Sequence, residues 1–276
     1  MATLGTATMR VRIAAAAIAV GLLLAMHPSS SAEPNVAATQ ARQAPLLDQA
    51  LSALQPGDGA PHLYFVGFAG YGPEAVFKRE VLAVRELFEE RFGTSGRSVA
   101  LINHASTADD LPLATAGNLE RVLQHLGRIM DRERDTLFLF LTSHGERALL
   151  AVEMPGLELE HLTPGRLRGM LDRAGIGKRV VVVSACYSGS FIPALAGPNT
   201  LVIAAARGDR PSFGCSDKRQ WTYFGDAFFN RALRRETSFK KAFHHASGLV
   251  RRWERRGGMR PSLPQMAGGE ALGLEE

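Results

Sequence analysis

Two short hydrophobic segments of the chain end in side chains that can move a proton or attack a carbonyl group. Residues 136–143 are followed by His144 and Gly145, and residues 180–185 are followed by Cys186. Each segment is rich in branched or aromatic residues, which is typical of a buried strand in a parallel sheet. Functional groups gather beyond the carboxyl ends of such strands, and neighbouring strands lie about 5 Å apart. The pattern predicts a cysteine nucleophile beside a histidine base.

The segments around these residues alternate between strand and helix patterns. Further strands are predicted at residues 62–68, 98–103 and 201–205, and helices after Pro73, around residues 119–130 and toward the end of the domain, around residues 239–253. The interval from His144 to Cys186 predicts a hairpin that turns at Pro155-Gly156, followed by a crossover helix capped by Thr163. This alternation predicts an α/β fold, a three-layer sandwich with a mostly parallel central sheet.

The first 32 residues have the composition of a secretory signal peptide. Arg10 and Arg12 precede an apolar stretch at residues 13–26, and Ser30-Ser31-Ala32 offers small residues for cleavage. The apolar stretch is shorter than the ~20 residues of a membrane-spanning helix. We therefore expect a periplasmic or secreted protein without stable membrane insertion, and an uncleaved segment that anchors the chain is the alternative.

The remaining chain divides into three parts. We predict a linker with a short leading helix at residues 33–58, one α/β domain at residues 59–258, and a C-terminal tail at residues 259–276. Removal of residues 1–32 takes away two arginines and lowers the net charge from +5 to +3, which is too weak for a nucleic-acid-binding surface. The histidines other than His144 lack metal-ligand spacing. Since chemistry by a cysteine and a histidine needs no added group, we expect no metal and no organic cofactor. The oligomeric state is left open.

Three segments of the chain resemble the legumain-like, or hemoglobinase, family of cysteine peptidases, which are relatives of the caspases. They are residues 137–145 (LFLFLTSHG), residues 181–191 (VVVSACYSGSF), and residues 204–217 (AAARGDRPSFGCSD) with their continuation TYFGD at residues 222–226. The resemblance extends from roughly residue 60 to residue 256. It implies a caspase-type fold with Cys186 as the nucleophile and His144 as the acid and base. It also implies an oxyanion hole made by the backbone N–H groups of Gly145 and Cys186.

The resemblance is incomplete around the substrate. An arginine and two acids select asparagine in that family; here Asp217 matches one acid, Ser184 stands where the other would be, and Phe77 falls near the arginine. We expect Asp217 and Ser184 to contact substrate, without carrying over the preference for asparagine. The asparagine that helps orient the family's histidine is missing from residues 67–72, and a backbone carbonyl is the alternative.

These observations lead to the hypothesis of an exported cysteine endopeptidase that cleaves peptides or proteins through an acyl-enzyme. Two alternatives remain open. A transpeptidase or amide ligase would resolve the same acyl-enzyme with an amine instead of water. A non-catalytic exported binding protein would join Cys186 to Cys215, the only other cysteine, because a disulfide is common in oxidising compartments.

Overall fold

A computed structural model describes residues 1–3 and 36–273 of the chain. The chain divides into two units, residues 1–33 and 34–276, and the description below concerns the second. The predicted signal peptide lies outside the described residues, apart from its first three. No helix within residues 36–273 is long and apolar enough to cross a membrane.

A six-stranded sheet forms the centre of the domain, in the order β2-β1-β3-β6-β7-β8. Its strands are β1 (Leu63–Ala69), β2 (Ser98–Ile102), β3 (Thr136–Thr142), β6 (Lys178–Ser184), β7 (Thr200–Ala204) and β8 (Gln265–Ala267). The first five strands of this set are parallel, and β8 pairs antiparallel with β7. Two short strands, β4 (Gly145–Glu146) and β5 (Leu149–Leu150), form a separate antiparallel pair. The predicted mostly parallel sheet is confirmed.

Helices cover both faces of the sheet. They are α1 (Val36–Ser52), α2 (Ala75–Arg91), α3 (Ala116–Ile129), α4 (Pro164–Ala174), α5 (Ile192–Leu195), α6 (Tyr223–Gly225), which continues as a π-helical segment (Asp226–Ala232), and α7 (Phe239–Arg256). Side chains from α1, α3, α4 and α5 fill one core beneath the sheet, and those from α2, α6 and α7 fill the other. The three-layer sandwich predicted from the sequence is therefore present.

The two cores follow from the alternation of side chains along each strand. In β3 all seven residues are buried; Leu139 and Leu141 enter one core, and Phe138 and Phe140 enter the other. The Phe138 ring lies 4.9 Å from the ring of Phe239, the first residue of α7. Because both faces are covered, the strand is apolar without interruption, and this burial fixes the segment that ends before His144.

Both ends of the domain differ from the sequence prediction. Helix α1 begins at Val36, so most of the polar stretch expected to be a linker is helical. Alanine and glutamine are good helix formers, and Leu47 and Leu51 anchor the helix in the core. The expected C-terminal tail contains β8, in which Met266 pairs with Ile203. A three-residue edge strand among prolines and glycines carries no periodic signal that the sequence could show.

The hairpin predicted between the two reactive residues forms only in part. Pro155 and Gly156 do turn the chain, but a single bridge between Met154 and Leu157 closes the turn. The paired strands β4 and β5 lie earlier, directly after His144. The crossover helix α4 begins as predicted, with the Thr163 side chain accepting a hydrogen bond from the N–H of Arg166.

Gly127 lies at the contact between α3 and α4, two helices of the layer that packs under β3 and β6. A substitution there tests this packing. A methyl group added there would lie 1.8 Å from the carbonyl oxygen of Ala174. In an open helix, Gly→Ala stabilises by about 1 kcal/mol, but overpacking costs about 1–3 kcal/mol. We expect Gly127→Ala to lower the free energy of unfolding measured by urea denaturation. Gly165→Ala in α4, with nothing within 4 Å of the new methyl, should not; a stabilised Gly127→Ala protein would contradict this packing.

Candidate active site

The two reactive residues follow adjacent strands at the same level of the sheet. Strands β3 and β6 pair in parallel with Thr142 opposite Ser184, and His144 and Cys186 each come two residues later. The N–H of Ser143 donates to the carbonyl of Ser184 at 3.3 Å, so the pairing continues past the strand ends. The structure therefore places His144 and Cys186 at the ends of neighbouring strands, on the same carboxyl edge of the sheet.

Gly145 brings the segment after β3 against the backbone of the cysteine. A Cβ atom at this position would lie 2.5 Å from the carbonyl oxygen of Cys186 and 3.0 Å from the Cβ of Ala185. Real Cβ atoms do not approach so closely, so the contact requires glycine. Any larger residue would push the histidine segment away from the cysteine segment.

Two backbone N–H groups at this contact have no hydrogen-bond acceptor within the described part of the chain. Within the described part of the chain, the N–H of Cys186 makes no hydrogen bond. Gly145 lies opposite Leu150 in the β4–β5 pair. Leu150 donates its own N–H to Leu162, and Ala151 donates to His144, so the N–H of Gly145 faces away from β5. These are the two donors expected for an oxyanion hole.

The residue after the cysteine turns the chain sharply. Tyr187 has a φ of 56°, in the left-handed region that non-glycine residues rarely occupy. Its N–H donates to the carbonyl of Arg210 at 2.8 Å, and the chain continues into a short 3-10 helix, Ser188–Phe191. Such a conformation persists only where neighbouring contacts hold it, and it is common at active sites. It leaves Cys186 half-buried at the strand end.

Ser212 surrounds the sulfur with polar groups from the segment after β7. Its N–H lies 3.3 Å and its Oγ 3.7 Å from Cys186 Sγ, while the Ser212 carbonyl oxygen lies 3.5 Å away and can accept from the thiol. Ser212 thus offers the sulfur two donors and one acceptor. Nothing in the sequence pattern identified Ser212, because it lies 26 positions from the cysteine along the chain.

The imidazole of His144 sits among two aromatic rings and one carboxylate. The ring centroids of Tyr71 and Phe77 lie 4.6 Å and 5.3 Å from it, both nearly perpendicular to its plane. Oε2 of Glu74 lies 3.2 Å from Nε2. Sequence reasoning missed Tyr71 and Glu74, although their loop follows a central strand at the edge where sites form.

The two expected substrate contacts have structural partners of their own. Oδ1 of Asp217, an exposed residue, accepts from the N–H of Ala75 at 2.6 Å and so caps the start of α2. Ser184 is only 3% exposed, and its Oγ lies 3.2 Å from Thr222 Oγ1. Asp217 therefore lies beside the site, while Ser184 lies underneath it.

A buried carboxyl group connects the elements beneath the reactive residues. Glu80 of α2 is fully buried; it accepts from Thr142 Oγ1 at 2.7 Å, and from the N–H and Oγ1 of Thr222 at 3.0 and 2.7 Å. Thr222 also contacts Ser184. Burial raises the pKa of Glu80, and the hydrogen bonds from Thr142 and Thr222 oppose that shift. The network joins the last strand residues before both His144 and Cys186.

The two cysteines are free thiols in different environments. Burial raises the pKa of Cys215 to about 12, and the neighbouring Cys186 adds to the shift. A thiol with so high a pKa is almost entirely protonated near neutral pH and is therefore a poor nucleophile. The arrangement does not contain the Cys186–Cys215 disulfide of the binding-protein alternative. No group of three or more metal-binding side chains occurs within the residues that the structure describes.

Comparison with known proteins connects this site to a family and a fold. The model of the peptidase C13 family matches residues 114–273, which include His144 and Cys186. Among solved structures, caspase-1 from Spodoptera frugiperda is 14% identical, with 78% of this chain and 89% of that chain covered and a TM-score of 0.52. A search of curated proteins found no match. These findings confirm the resemblance to the legumain family and the caspase-type fold.

Glu80 gives a prediction about stability and pH. Its pKa in the folded protein is raised above the ordinary value of 4.5, so folding favours the neutral form. The free energy of unfolding should therefore lose this contribution as the pH rises from about 4.5 through the raised value. Glu80→Gln cannot ionise, yet it can still bond Thr142 and Thr222. Urea denaturation between about pH 4 and 8 should show the wild-type protein declining relative to Glu80→Gln, and parallel profiles would contradict it.

The two thiols should differ in reactivity. Because the pKa of the half-buried Cys215 is raised to about 12, iodoacetamide at neutral pH should modify Cys186 at least about 100-fold faster, as followed by mass spectrometry of peptides. After denaturation without reductant, two thiols should titrate. Equal rates would show that Cys215 is not shielded, and a count of zero would restore the disulfide alternative.

Proposed function

The chain belongs to the peptidase C13 family, the legumain family of cysteine peptidases, and we propose that it is an exported endopeptidase in which Cys186 and His144 cleave the peptide bond. The observation that carries this proposal is the register of β3 and β6, which ends both strands level and sets the two residues on neighbouring strand ends. The contact of Gly145 with the Cys186 backbone supports it.

In the first step, the Cys186 sulfur attacks the carbonyl carbon of the substrate after its proton passes to His144. A C–S bond forms, and the electron pair of the carbonyl moves to its oxygen. The N–H groups of Gly145 and Cys186 donate to that oxyanion; each such donor is typically worth about 3 kcal/mol in the barrier. The C–N bond then breaks, and His144 gives its proton to the leaving amine.

In the second step, water attacks the thioester carbon and His144 accepts the proton of that water. The C–S bond breaks, the carboxylic acid leaves, and the sulfur recovers its proton from His144. One water is consumed for each peptide bond. The scheme uses groups of the chain and water alone.

The substrate is proposed to be a peptide or protein, and the family's preference for asparagine at the first position is not carried over to it. Asp217 retains one carboxylate oxygen for a substrate, because Oδ1 already caps α2. Since Ser184 is buried, we propose that it supports this subsite from below through Thr222. Export rests on the composition of residues 1–32.

The activity test is cleavage of a peptide library by the chain that begins at Glu33. Cys186→Ala should abolish cleavage and labelling by a thiol-directed peptidyl probe, and His144→Ala should lower kcat by about 10²–10⁴-fold. Cys215→Ala is the matched cysteine control and should still be labelled. Circular dichroism establishes that each variant is folded. Cleavage that survives in folded Cys186→Ala would remove the proposal.

A further inference from the structure

The carboxylate of Glu74 does not cap the helix that it precedes. Glu74 is the N-cap of α2, with extended backbone, but its side chain makes no capping hydrogen bond. Helices α3, α4 and α7 are each capped by their own Thr or Ser side chain. At α2 the capping group comes instead from Asp217, 142 positions away along the chain. Glu74 is thereby left to face another group.

That group is the imidazole of His144. Glu74 Oε2 is inaccessible to solvent and makes no aligned hydrogen bond within the described residues, yet it lies 3.2 Å from His144 Nε2. A carboxylate oxygen withdrawn from water is costly unless a donor satisfies it, and the imidazole is the donor within reach. Catalytic hydrogen bonds are often poorly aligned before substrate binds.

The surrounding rings restrict how the imidazole can turn. Tyr71 and Phe77 pack against it at 84° and 78° to its plane. With Nε2 lying 3.2 Å from Glu74, Nδ1 is the ring nitrogen left for the sulfur of Cys186. A histidine that donates through one ring nitrogen is fixed in the tautomer whose other nitrogen accepts a proton.

We propose that Glu74 is a positioning residue that completes a Cys186–His144–Glu74 triad. Glu74 holds the proton of His144 on Nε2, so Nδ1 receives the proton that leaves Cys186, and the carboxylate beside the ring stabilises the imidazolium that forms. Asp217 holds Glu74 in place by capping α2. The inference rests on the proposed function and deepens it.

The role of Glu74 is not contained in the family match, which begins at residue 114. Glu74 also supplies an orienting group for His144, which residues 67–72 lack because they contain no asparagine. The orienting group comes from the next loop positions and is a carboxylate rather than an amide. A carboxylate can stabilise a positive charge on the ring, which an amide does only weakly.

Glu74→Gln keeps the size of the side chain and removes its charge. We expect kcat to fall by about 10²-fold or more with KM nearly unchanged, since the effect acts on proton transfer. Glu74→Asp, which keeps the charge, should recover part of the loss. Glu90→Gln, an exposed glutamate at the other end of α2, is the matched control and should retain wild-type kcat. A Glu74→Gln enzyme with wild-type kcat would overturn the proposal while leaving the proposed function intact.

A second readout does not depend on turnover. The ¹⁵N resonances of the His144 ring, recorded in Cys186→Ala at a pH where the ring is neutral, should show the proton on Nε2, and Glu74→Gln in the same background should weaken that preference. A wild-type ring protonated on Nδ1, or one indifferent to Glu74→Gln, would refute the positioning role. Lack of peptide cleavage together with the expected ring signal would instead count against the proposed function.

The contribution of Asp217 is tested separately. Asp217→Asn keeps an oxygen that can accept from Ala75 and should lower kcat less than Asp217→Ala, which releases the start of α2. If both substitutions raise KM and leave kcat unchanged, Asp217 contacts substrate and does not position Glu74.

Discussion

The parallel pairing of β3 with β6 is the constraint on which the site depends. Both strands are buried on both faces, so their register is set by two hydrophobic cores and by an unbroken hydrogen-bond ladder. A slip of one residue would turn every side chain to the opposite core. The relative position of His144 and Cys186 along the strands is therefore set by apolar packing away from the polar edge. Gly145 lets the segment after β3 lie against the backbone of Cys186.

Beneath that edge, a buried carboxyl group holds the layers together. Glu80 extends from α2 to the end of β3 and, through Thr222, to the end of β6. Burying a carboxyl group costs stability unless it is hydrogen-bonded, and here three donors offset part of that cost. The consequence is that the helix whose first turn adjoins His144 is fixed to the same strands that carry the reactive residues.

One segment, residues 206–222, serves both halves of the site. Ser212 contacts the sulfur of Cys186, and Asp217 caps the helix that begins next to Glu74. A movement of this segment would thus alter the nucleophile and the environment of His144 together. Peptidase activity in this chain, as proposed, depends on loops that follow four different strands, as expected where a parallel sheet carries its functional groups at one edge.

The sequence by itself predicted the layered α/β fold and the placement of a histidine and a cysteine after two buried strands, because apolar segments with reactive ends are local patterns. The short leading helix was predicted, but its start at Val36 and the strand β8 were not, since polar helix formers and a short edge strand carry weak periodicity. Only the tertiary structure decided that Glu74 faces His144, that Ser212 faces Cys186, that Asp217 caps α2, and that Ser184 lies below the site. Each of these contacts joins residues far apart along the chain, and their geometry is set by how the layers pack rather than by any spacing that can be read along the sequence.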